Sequence, residues 1–519
     1  MCALAELLHN SGITVSGSDG NDVFYTDAIL NELGIPFRES FSADHIPDDT
    51  DLVIHSAAYS PDSNPELREA QRRGIPILKY TDALGAYSAR FDSSGIAGVH
   101  GKTTTTALAG TLIRGAGLPA QVLAGSAVSG FGGRSTLNLG DRYFVAETCE
   151  YRRHFLSFHP RRIVLTSVES DHQDYFPTYE SIRNAFLEYT AKLPPGGELI
   201  YCADDPGASE VAAASAASAD RAGRSITVTP YGFTAEGLFR IEDYRIAGER
   251  MVMKLRGFPG ELCLRVPGRH LALDAAAALA LTSSLVRAEF GSTGNGCGVT
   301  GDSNCVTGNA EDNDASNDDR IANADSGTAD YTSGWTPDRY EKVRTALEDF
   351  RGSKRRSEII GERGGILFMD DYGHHPTAIK TTLEGLKEFY PNRRLVLSFM
   401  SHTYTRTAAL LNEFAASFEK ADVVFLHKIY ASAREAYHGG VNGQTLFERT
   451  KALRTVQPDT VYYVEEPEDA AALLQTMLRP GDLFITMGAG DNWKLGKCLL
   501  EYSKQVLSKQ VSLKQDDTQ

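Results

Sequence analysis

Short apolar runs that end in polar clusters alternate with stretches whose apolar residues recur at helical spacing, through almost the whole chain. Residues 2–8 predict an amphipathic helix, and residues 13–19 a strand ending in small and acidic side chains. Helix 28–33, strand 52–56, helix 66–73 and strand 77–78 follow. Strand and helix in turn predict a doubly wound, mostly parallel sheet. Such a sheet usually carries phosphate-binding glycines between its first strand and first helix, whereas this sequence opens on the helix.

The pattern restarts at Gly95-Ile-Ala-Gly-Val-His-Gly-Lys-Thr-Thr-Thr-Thr106. An apolar run stops in glycines, Lys102 follows, and threonines open a helix over 107–113. Glycines let backbone N–H groups wrap an anion, a helix start adds partial positive charge, and the lysine neutralises outer phosphates. The Thr103 hydroxyl is placed for the Mg2+ that travels with a nucleotide. Gly98 and Gly101 flank a shorter loop than the common phosphate-loop form. A plain glycine-rich turn with a surface lysine is the competing reading; a nucleoside triphosphate site is the one adopted. Strands 143–146 and 163–168 end in polar clusters at 147–150 and 169–172. Ligands sit beyond the carboxyl ends of parallel strands, so Glu147, Asp171 and His172 should converge with the phosphate loop.

Residues 291–334 hold eight acids and one arginine among Gly, Ser, Asn and Thr, too little apolar surface to offset ordering, and predict a disordered spacer. Helix 340–350 and a basic hinge at 351–356 lead into a third alternation, with strands at 366–369, 395–399, 423–426, 461–464 and 483–487. Three of these run into Asp370-Asp-Tyr-Gly-His-His-Pro376, Ser401-His-Thr-Tyr-Thr-Arg406 and Gly488-Ala-Gly-Asp491, which predicts a second binding face. The chain therefore reads as α/β with three domains, 1–92, 93–350 (insert 291–334) and 351–519, each an open, mostly parallel sheet with helices.

Composition narrows the function classes. A chain of 519 residues exceeds a single core, and 42% hydrophobic with 23% charged residues is globular. A net charge of −16 argues against a general nucleic-acid binder, which needs a basic surface. Seven scattered cysteines, with no C-x-x-C pair, suggest neither a disulfide framework nor a zinc knuckle. The apolar run at 271–281 is broken by Asp274 and too short for a membrane span. The expectation is a soluble cytoplasmic protein without nucleic-acid or membrane partners, a monomer or weak homodimer.

Several motifs together carry a resemblance: Gly98-Val-His-Gly-Lys-Thr-Thr-Thr105, Ala146-Glu-Thr-Cys-Glu-Tyr-Arg-Arg153, Asp171-His172, Pro267-Gly-Arg-His270, Asp370-Asp-Tyr-Gly-His-His-Pro-Thr377, His402-Thr-Tyr-Thr-Arg406 and Gly488-Ala-Gly-Asp491. On these the sequence resembles the Mur ligases, and the Asp-Asp-Tyr-Gly-His-His-Pro and Glu-Tyr-Arg-Arg signatures are similar to the alanine-adding branch. The resemblance implies a Rossmann-like domain for UDP-N-acetylmuramate, a P-loop ATPase-like central domain for ATP and Mg2+, and a Rossmann-like third domain bringing L-alanine. It implies that the lactyl carboxylate takes the γ-phosphate to give an acyl phosphate, which the alanine amine then attacks. Implied ATP contacts are Gly98, Val99, His100, Gly101, Lys102, Thr103, Thr104, His270, Arg356 and Asp371 (the last on the ribose). Thr103 and Glu147 would hold one Mg2+ and His172 a second. Arg406 would grip the alanine carboxylate with Glu435 and His402 near the amine and the reacting centre, and His374 would line the substrate site. Ser18, Asp19 and Ser56 would rim the UDP end.

Three departures stand out. The family shows two asparagines after Gly-Arg-His where this chain has Leu271 and Asp274, so no adenine contact carries over: leucine cannot pair and aspartate only accepts. Met400-Ser401 replaces Gln-Pro before His402, a mild loop change. The third is the opening helix, which leads to the expectation of roughly 15–30 further residues upstream, enough for a strand and a glycine loop. The residues leave open a ligase that returns a tripeptide to the same nucleotide sugar, and a decayed, non-catalytic nucleotide-sugar binder.

Overall fold

The computed structural model describes residues 1–501, apart from 22–23, 292–331, 432–434, 436, 438 and 456–457. The expected spacer at 291–334 lies almost wholly outside the described residues. Helix α1 (Cys2–Asn10) opens the chain, followed by β1 (Gly17–Ser18), α2 (Tyr25–Glu32) and β2 (Phe37–Arg38), then β3 (Val53–His55), α3 (Pro65–Arg73) and β4 (Ile77–Lys79). β1 pairs in parallel with β2, and β3 with β4. The predicted strand 13–19 shrinks to Gly17–Ser18, and Ile13 lies 43% exposed outside the pairing. Local signals hold elsewhere: the Asn64 side chain accepts the N–H groups of Glu66 and Leu67, Pro65 follows, and Gly74 closes α3 in the left-handed region. α1 docks on the central sheet through buried Glu6, which accepts from Arg134 and Thr136.

After α4 (Tyr80–Ser88) the chain enters a seven-stranded sheet. Its strands are β5 (Asp92–Ala97), β6 (Ala120–Val128), β7 (Arg134–Asn138), β8 (Tyr143–Glu147), β9 (Arg162–Leu165), β10 (Glu198–Cys202) and β11 (Thr227–Tyr231). The order is β11-β10-β9-β5-β8-β6-β7, parallel except for the β6–β7 pair. One face buries α5 (Lys102–Ala116) and α8 (Arg269–Phe290), and the other packs α6 (Tyr179–Thr190) and α7 (Pro206–Arg221). α8 is long and apolar enough for a membrane span, yet 83% of that stretch is buried inside the fold, as a core helix should be. A small antiparallel sheet of β12 (Ile241–Ile246), β13 (Met251–Leu255) and β14 (Leu262–Leu264) flanks it. α9 (Pro337–Glu348) then leads out past Trp335, which stacks on Tyr340.

The C-terminal sheet holds β15 (Glu358–Arg363), β16 (Ile366–Asp371), β17 (Arg394–Met400), β18 (Val423–Leu426), β19 (Val461–Tyr463) and β20 (Asp482–Gly488), in the order β15-β16-β20-β17-β18-β19. Only edge strand β15 runs antiparallel. α10 (Pro376–Phe389) and α11 (Tyr404–Ala409) start just beyond β16 and β17. The basic hinge touches both sheets: Lys354 N–H donates to Ala127 O at 2.8 Å, and Arg355 pairs with Asp370 at 2.9 Å.

Candidate active site

The phosphate loop joins β5 to α5, and two glycines make it possible. Gly98 has φ 141° and Gly101 has φ 79°, both in the left-handed range. A Cβ on Gly98 would stand 2.8 Å from Ser167 N, and one on Gly101 would meet Asp274 Oδ1 at 2.5 Å. The loop is stitched to the end of β9: Val99 N–H donates to Ser167 O at 3.1 Å, His100 N–H to Ser167 Oγ at 2.9 Å, and the Thr166 hydroxyl to His100 O. That stitching explains why β9 stops at Leu165 while its apolar run continues to Val168. α5 begins at Lys102, earlier than its apolar spacing predicts, so Lys102, Thr103 and Thr104 form its first turn, with Thr103 and Thr104 buried. Its free N–H groups and dipole face the loop, which suits an oligophosphate.

Lys102 Nζ donates to Gly98 O, to Val99 O at 3.3 Å and to Glu150 Oε2 at 2.9 Å. Burial opposes its charge, but Glu150, Cys149 and Glu147 together hold the ammonium above the usual lysine value. Glu150, 2% exposed, is likewise resisted by burial yet kept ionised by Lys102 and His172. Its other oxygen lies 3.2 Å from His172 Nε2. His172 has φ 54° and rests against the Tyr151 ring at 4.7 Å. Glu147, at the end of β8, points a buried Oε2 that has no hydrogen-bond partner among the described residues toward Gly125, whose added Cβ would lie 2.7 Å from the Glu147 carboxyl carbon. An orphaned carboxylate oxygen and the Thr103 hydroxyl are oxygen donors of the kind that suits a hard cation such as Mg2+.

The C-terminal sheet supplies the facing wall. Arg406, 3% exposed, directs Nε and Nη2 at Asp171 Oδ1, both at 2.8 Å, and Nη1 toward His402 Nδ1 at 3.2 Å. Asp171 Oδ1 also accepts the His172 N–H at 2.7 Å. Burial opposes its charge, but Arg406 and then His172 hold it far below the usual carboxylate range. His374 is pushed well below the usual imidazole value by burial and by Arg406, so it is neutral, with its Nδ1–H donating to Tyr372 O at 2.7 Å. Its ring lies edge-on to His402 at 5.5 Å. Glu435 accepts from Tyr404 N–H at 2.6 Å and from the Thr405 hydroxyl, at the start of α11 beside Arg406.

Other expected residues are placed less directly. Asp371 is buried and turned into its own loop, accepting from Ser357 N–H and Gly373 N–H, each at 2.6 Å. Arg356 donates to Thr103 Oγ1 at 3.4 Å, bridging hinge and phosphate loop. Burial drives His270 down to about 4, and its Nδ1 has no hydrogen-bond partner among the described residues. Leu271 lies in the hydrophobic core, whereas Asp274 accepts from Thr105 Oγ1 at 3.0 Å beneath the phosphate loop. Ser18, Asp19 and Ser56 stand at the carboxyl ends of β1 and β3; Asp19 accepts from Gly20 N–H at 2.8 Å and Ser56 Oγ from Ala58 N–H at 3.2 Å. Sequence reasoning gave no role to Glu150, Glu169 or His375. Glu150 sits in the polar cluster after β8, and its spacing from Glu147 was the available signal.

Comparison with known proteins places the chain by family and fold. The chain matches the Mur ligase family catalytic domain over residues 1–92, the Mur ligase middle domain over 96–282 and the Mur ligase glutamate ligase domain over 355–490. It is 49% identical over 505 residues to a UDP-N-acetylmuramate–L-alanine ligase of Treponema pallidum (strain Nichols), covering 97% of this chain and 95% of that one. Its fold is similar to the crystal structure of UDP-N-acetylmuramate–alanine ligase from Thermotoga maritima, with TM-score 0.69, 23% identity and coverage of 98% and 97%. It is also similar in fold to a MurF ligase of Thermotoga maritima in complex with ADP, with TM-score 0.57, 16% identity and coverage of 91% and 98%. Three domain matches in order and near-complete alignment to the Treponema relative lead to one conclusion: this chain belongs to the Mur ligase family.

Proposed function

We propose that the chain ligates L-alanine to the lactyl carboxylate of UDP-N-acetylmuramate, using ATP, as a cytoplasmic step of peptidoglycan precursor synthesis. The observation that carries this is the continuous ionic chain Lys102–Glu150–His172 and Asp171–Arg406, which joins a phosphate loop to a carboxylate-gripping arginine on another sheet. In a chain 49% identical to an alanine ligase, that layout favours alanine over a tripeptide and an active enzyme over a decayed binder.

The residues divide the work. The loop N–H groups and the start of α5 seat the triphosphate. Lys102 is charged and buried, so moving its Nζ from Glu150 onto the γ-phosphate spreads charge as phosphoryl transfers in line to the lactyl carboxylate, and ADP leaves. Glu150 then remains with His172, which keeps the site's charge balanced. Thr103 and Glu147 would hold one Mg2+ and His172 a second, and these ions would supply electrostatic stabilisation of the phosphates when bound. Arg406 presents a planar fork to the alanine carboxylate, with His402 beside it and neutral His374 lining the site, so that the alanine amine attacks the acyl carbon as its free base and phosphate leaves. Burial of this seam excludes water that would otherwise hydrolyse the acyl phosphate. By the same reading, Ser18, Asp19 and Ser56 border the UDP moiety, Glu435 the amine, and His270, Arg356 and Asp371 the nucleoside of ATP. The three sheet regions correspond to UDP-sugar, ATP and amino-acid domains, in a monomer or weak homodimer.

The test is ADP release with each substrate omitted in turn. Release that needs both UDP-N-acetylmuramate and L-alanine supports the reading. Release with a tripeptide but not with alanine, or none with any substrate pair, sinks it.

A further inference from the structure

A second cluster crosses the same seam, distinct from Thr103, Glu147 and His172. His100 comes from the phosphate loop, Glu169 from the segment after β9, and His375 from the N-cap of α10. One ligand atom from each lies within 4.8 Å of the others. Glu169 Oε1 touches His100 Nε2 and lies 3.7 Å from His375 Nδ1, and the two imidazole rings are 4.9 Å apart. His375 is only 6% exposed, and its Nε2 has no hydrogen-bond partner among the described residues. Its Nδ1 meets Thr377 N–H at 3.4 Å, the long edge of a hydrogen bond. The lone pair is on Nδ1, the atom that faces Glu169, and in this buried place it is only weakly engaged, so a stronger partner there lowers the free energy.

We infer that His100, Glu169 and His375 form a binding site for a divalent transition-metal ion of the zinc type, shared between the central and C-terminal sheets. Two imidazoles and one carboxylate are the ligand set of a borderline cation; Mg2+ prefers oxygen ligands and its own water. The ionisation states agree. Burial and the neighbouring His100 keep His375 down, hence neutral, and Glu169 stays a carboxylate because its hydrogen bond with His100 outweighs its burial. Outer partners are in place: Thr377 Oγ1 donates to Glu169 Oε2 at 3.1 Å, and His100 is pinned through its N–H to Ser167 Oγ. Metal bonds of about 2.0–2.1 Å need ligand atoms roughly 3.4 Å apart; Glu169 and His375 are already close to that spacing at 3.7 Å, and the Glu169–His100 contact opens by about 1 Å as the ion replaces the proton between them. With ligands on both sheets, the ion ties them together, and with one ligand in the phosphate loop it couples that tie to nucleotide binding.

The experiment uses the full chain, stripped of metal by chelation and titrated with zinc chloride in excess magnesium by calorimetry, with melting followed in parallel. Excess magnesium occupies the hard-cation site, so zinc reports on the cluster. One zinc per chain with a zinc-dependent rise in Tm is expected. His375→Gln should weaken zinc binding by about tenfold or more, since losing even an outer partner costs ~10- to 100-fold. If that variant fails to fold by circular dichroism, Glu169→Gln serves instead and should weaken binding alike. Zinc affinity unchanged in the folded variant, or no zinc binding in excess magnesium, overturns the inference. Neither result touches the ligase reading, whose substrates are absent from the assay.

Discussion

Asp274→Asn separates charge from shape beneath the phosphate loop. Asp274 is buried, with Thr105 Oγ1 donating at 3.0 Å, and burial raises its carboxyl from the ordinary 3.8 to about 7 despite that bond and Arg356. The rise corresponds to a ceiling of about 4 kcal/mol against the ionised form. Water reaching the relaxed loop lowers this to about 2 kcal/mol. The sign follows from proton counting. Between pH 3.8 and about 7 the folded chain keeps a proton that the unfolded chain has released, so this group's contribution is full below 3.8 and is lost as pH rises through about 7. The amide has no such titration and still accepts from Thr105. Melting of parent and variant at about pH 5 and about pH 8.5 should show the variant's relative stability larger at the higher pH by about 1 kcal/mol, the part of the effect that remains above pH 5. The ATP KM of the parent should also rise through pH 7, as ionised Asp274 repels phosphate, while that of the variant stays flat. A stability difference that is the same at both pH values would refute a neutral buried Asp274.

Three further substitutions probe the site. Lys102→Ala should lower turnover ~100- to 1000-fold or more with the fold intact, because a group stabilising transition-state charge is lost; retention of over about a tenth of parent activity would show that Lys102 does not serve the phosphates. Arg406→Lys should raise the alanine KM far more than the ATP KM, since a point charge does not replace a planar fork; the opposite pattern in steady-state kinetics would move Arg406 out of the amino-acid pocket. Gly101→Ala should weaken ATP binding measured by calorimetry, because its φ of 79° strains any L side chain and its Cβ would press on Asp274; parent-like affinity would show that the loop can reshape.

Much of this architecture was legible because it rests on local signals. The strand over 423–426 matches β18, and Asn64, Pro65 and Gly74 bound α3 as their chemistry dictates. Legibility fails where tertiary pairing decides. Val168 continues an apolar run but cannot extend β9, since the preceding backbone is spent on the phosphate loop. Residues 13–19 alternate like a strand, yet only Gly17 and Ser18 find a paired neighbour. Within the site, single motifs announced Lys102, His172 and Arg406 as chemically apt. No motif announced that Glu150 would bridge Lys102 to His172, or that Asp171 would meet Arg406, 235 residues away. The first pairing depends on strand ends brought together within the central sheet and the second on the meeting of two domains, and neither partner choice is written in the spacing along the chain.

The Asp171–Arg406 contact carries the last prediction, because both groups are buried and each comes from a different sheet. Removing one member of a buried pair strands a charge and typically costs ~3–5 kcal/mol, while replacing both with apolar groups of similar volume is often neutral. Arg406→Met should therefore destabilise the chain strongly, and adding Asp171→Leu should restore much of the loss. In a double-mutant cycle on urea unfolding, the coupling should exceed about 1 kcal/mol, beyond the ~0.5 kcal/mol expected of independent sites. Additive effects would mean that the fork and the carboxylate are not paired in solution. The same cycle bears on catalysis. If Asp171 occupies the fork in the absence of substrate, the alanine carboxylate must compete with it, and Asp171→Asn, which keeps the shape but drops the charge, should lower the alanine dissociation constant measured by calorimetry. A raised constant would instead make Asp171 the group that aims Arg406 at its substrate. The buried contact would then be a positioning device held ready across the seam, and the fork would not need to be emptied before alanine binds.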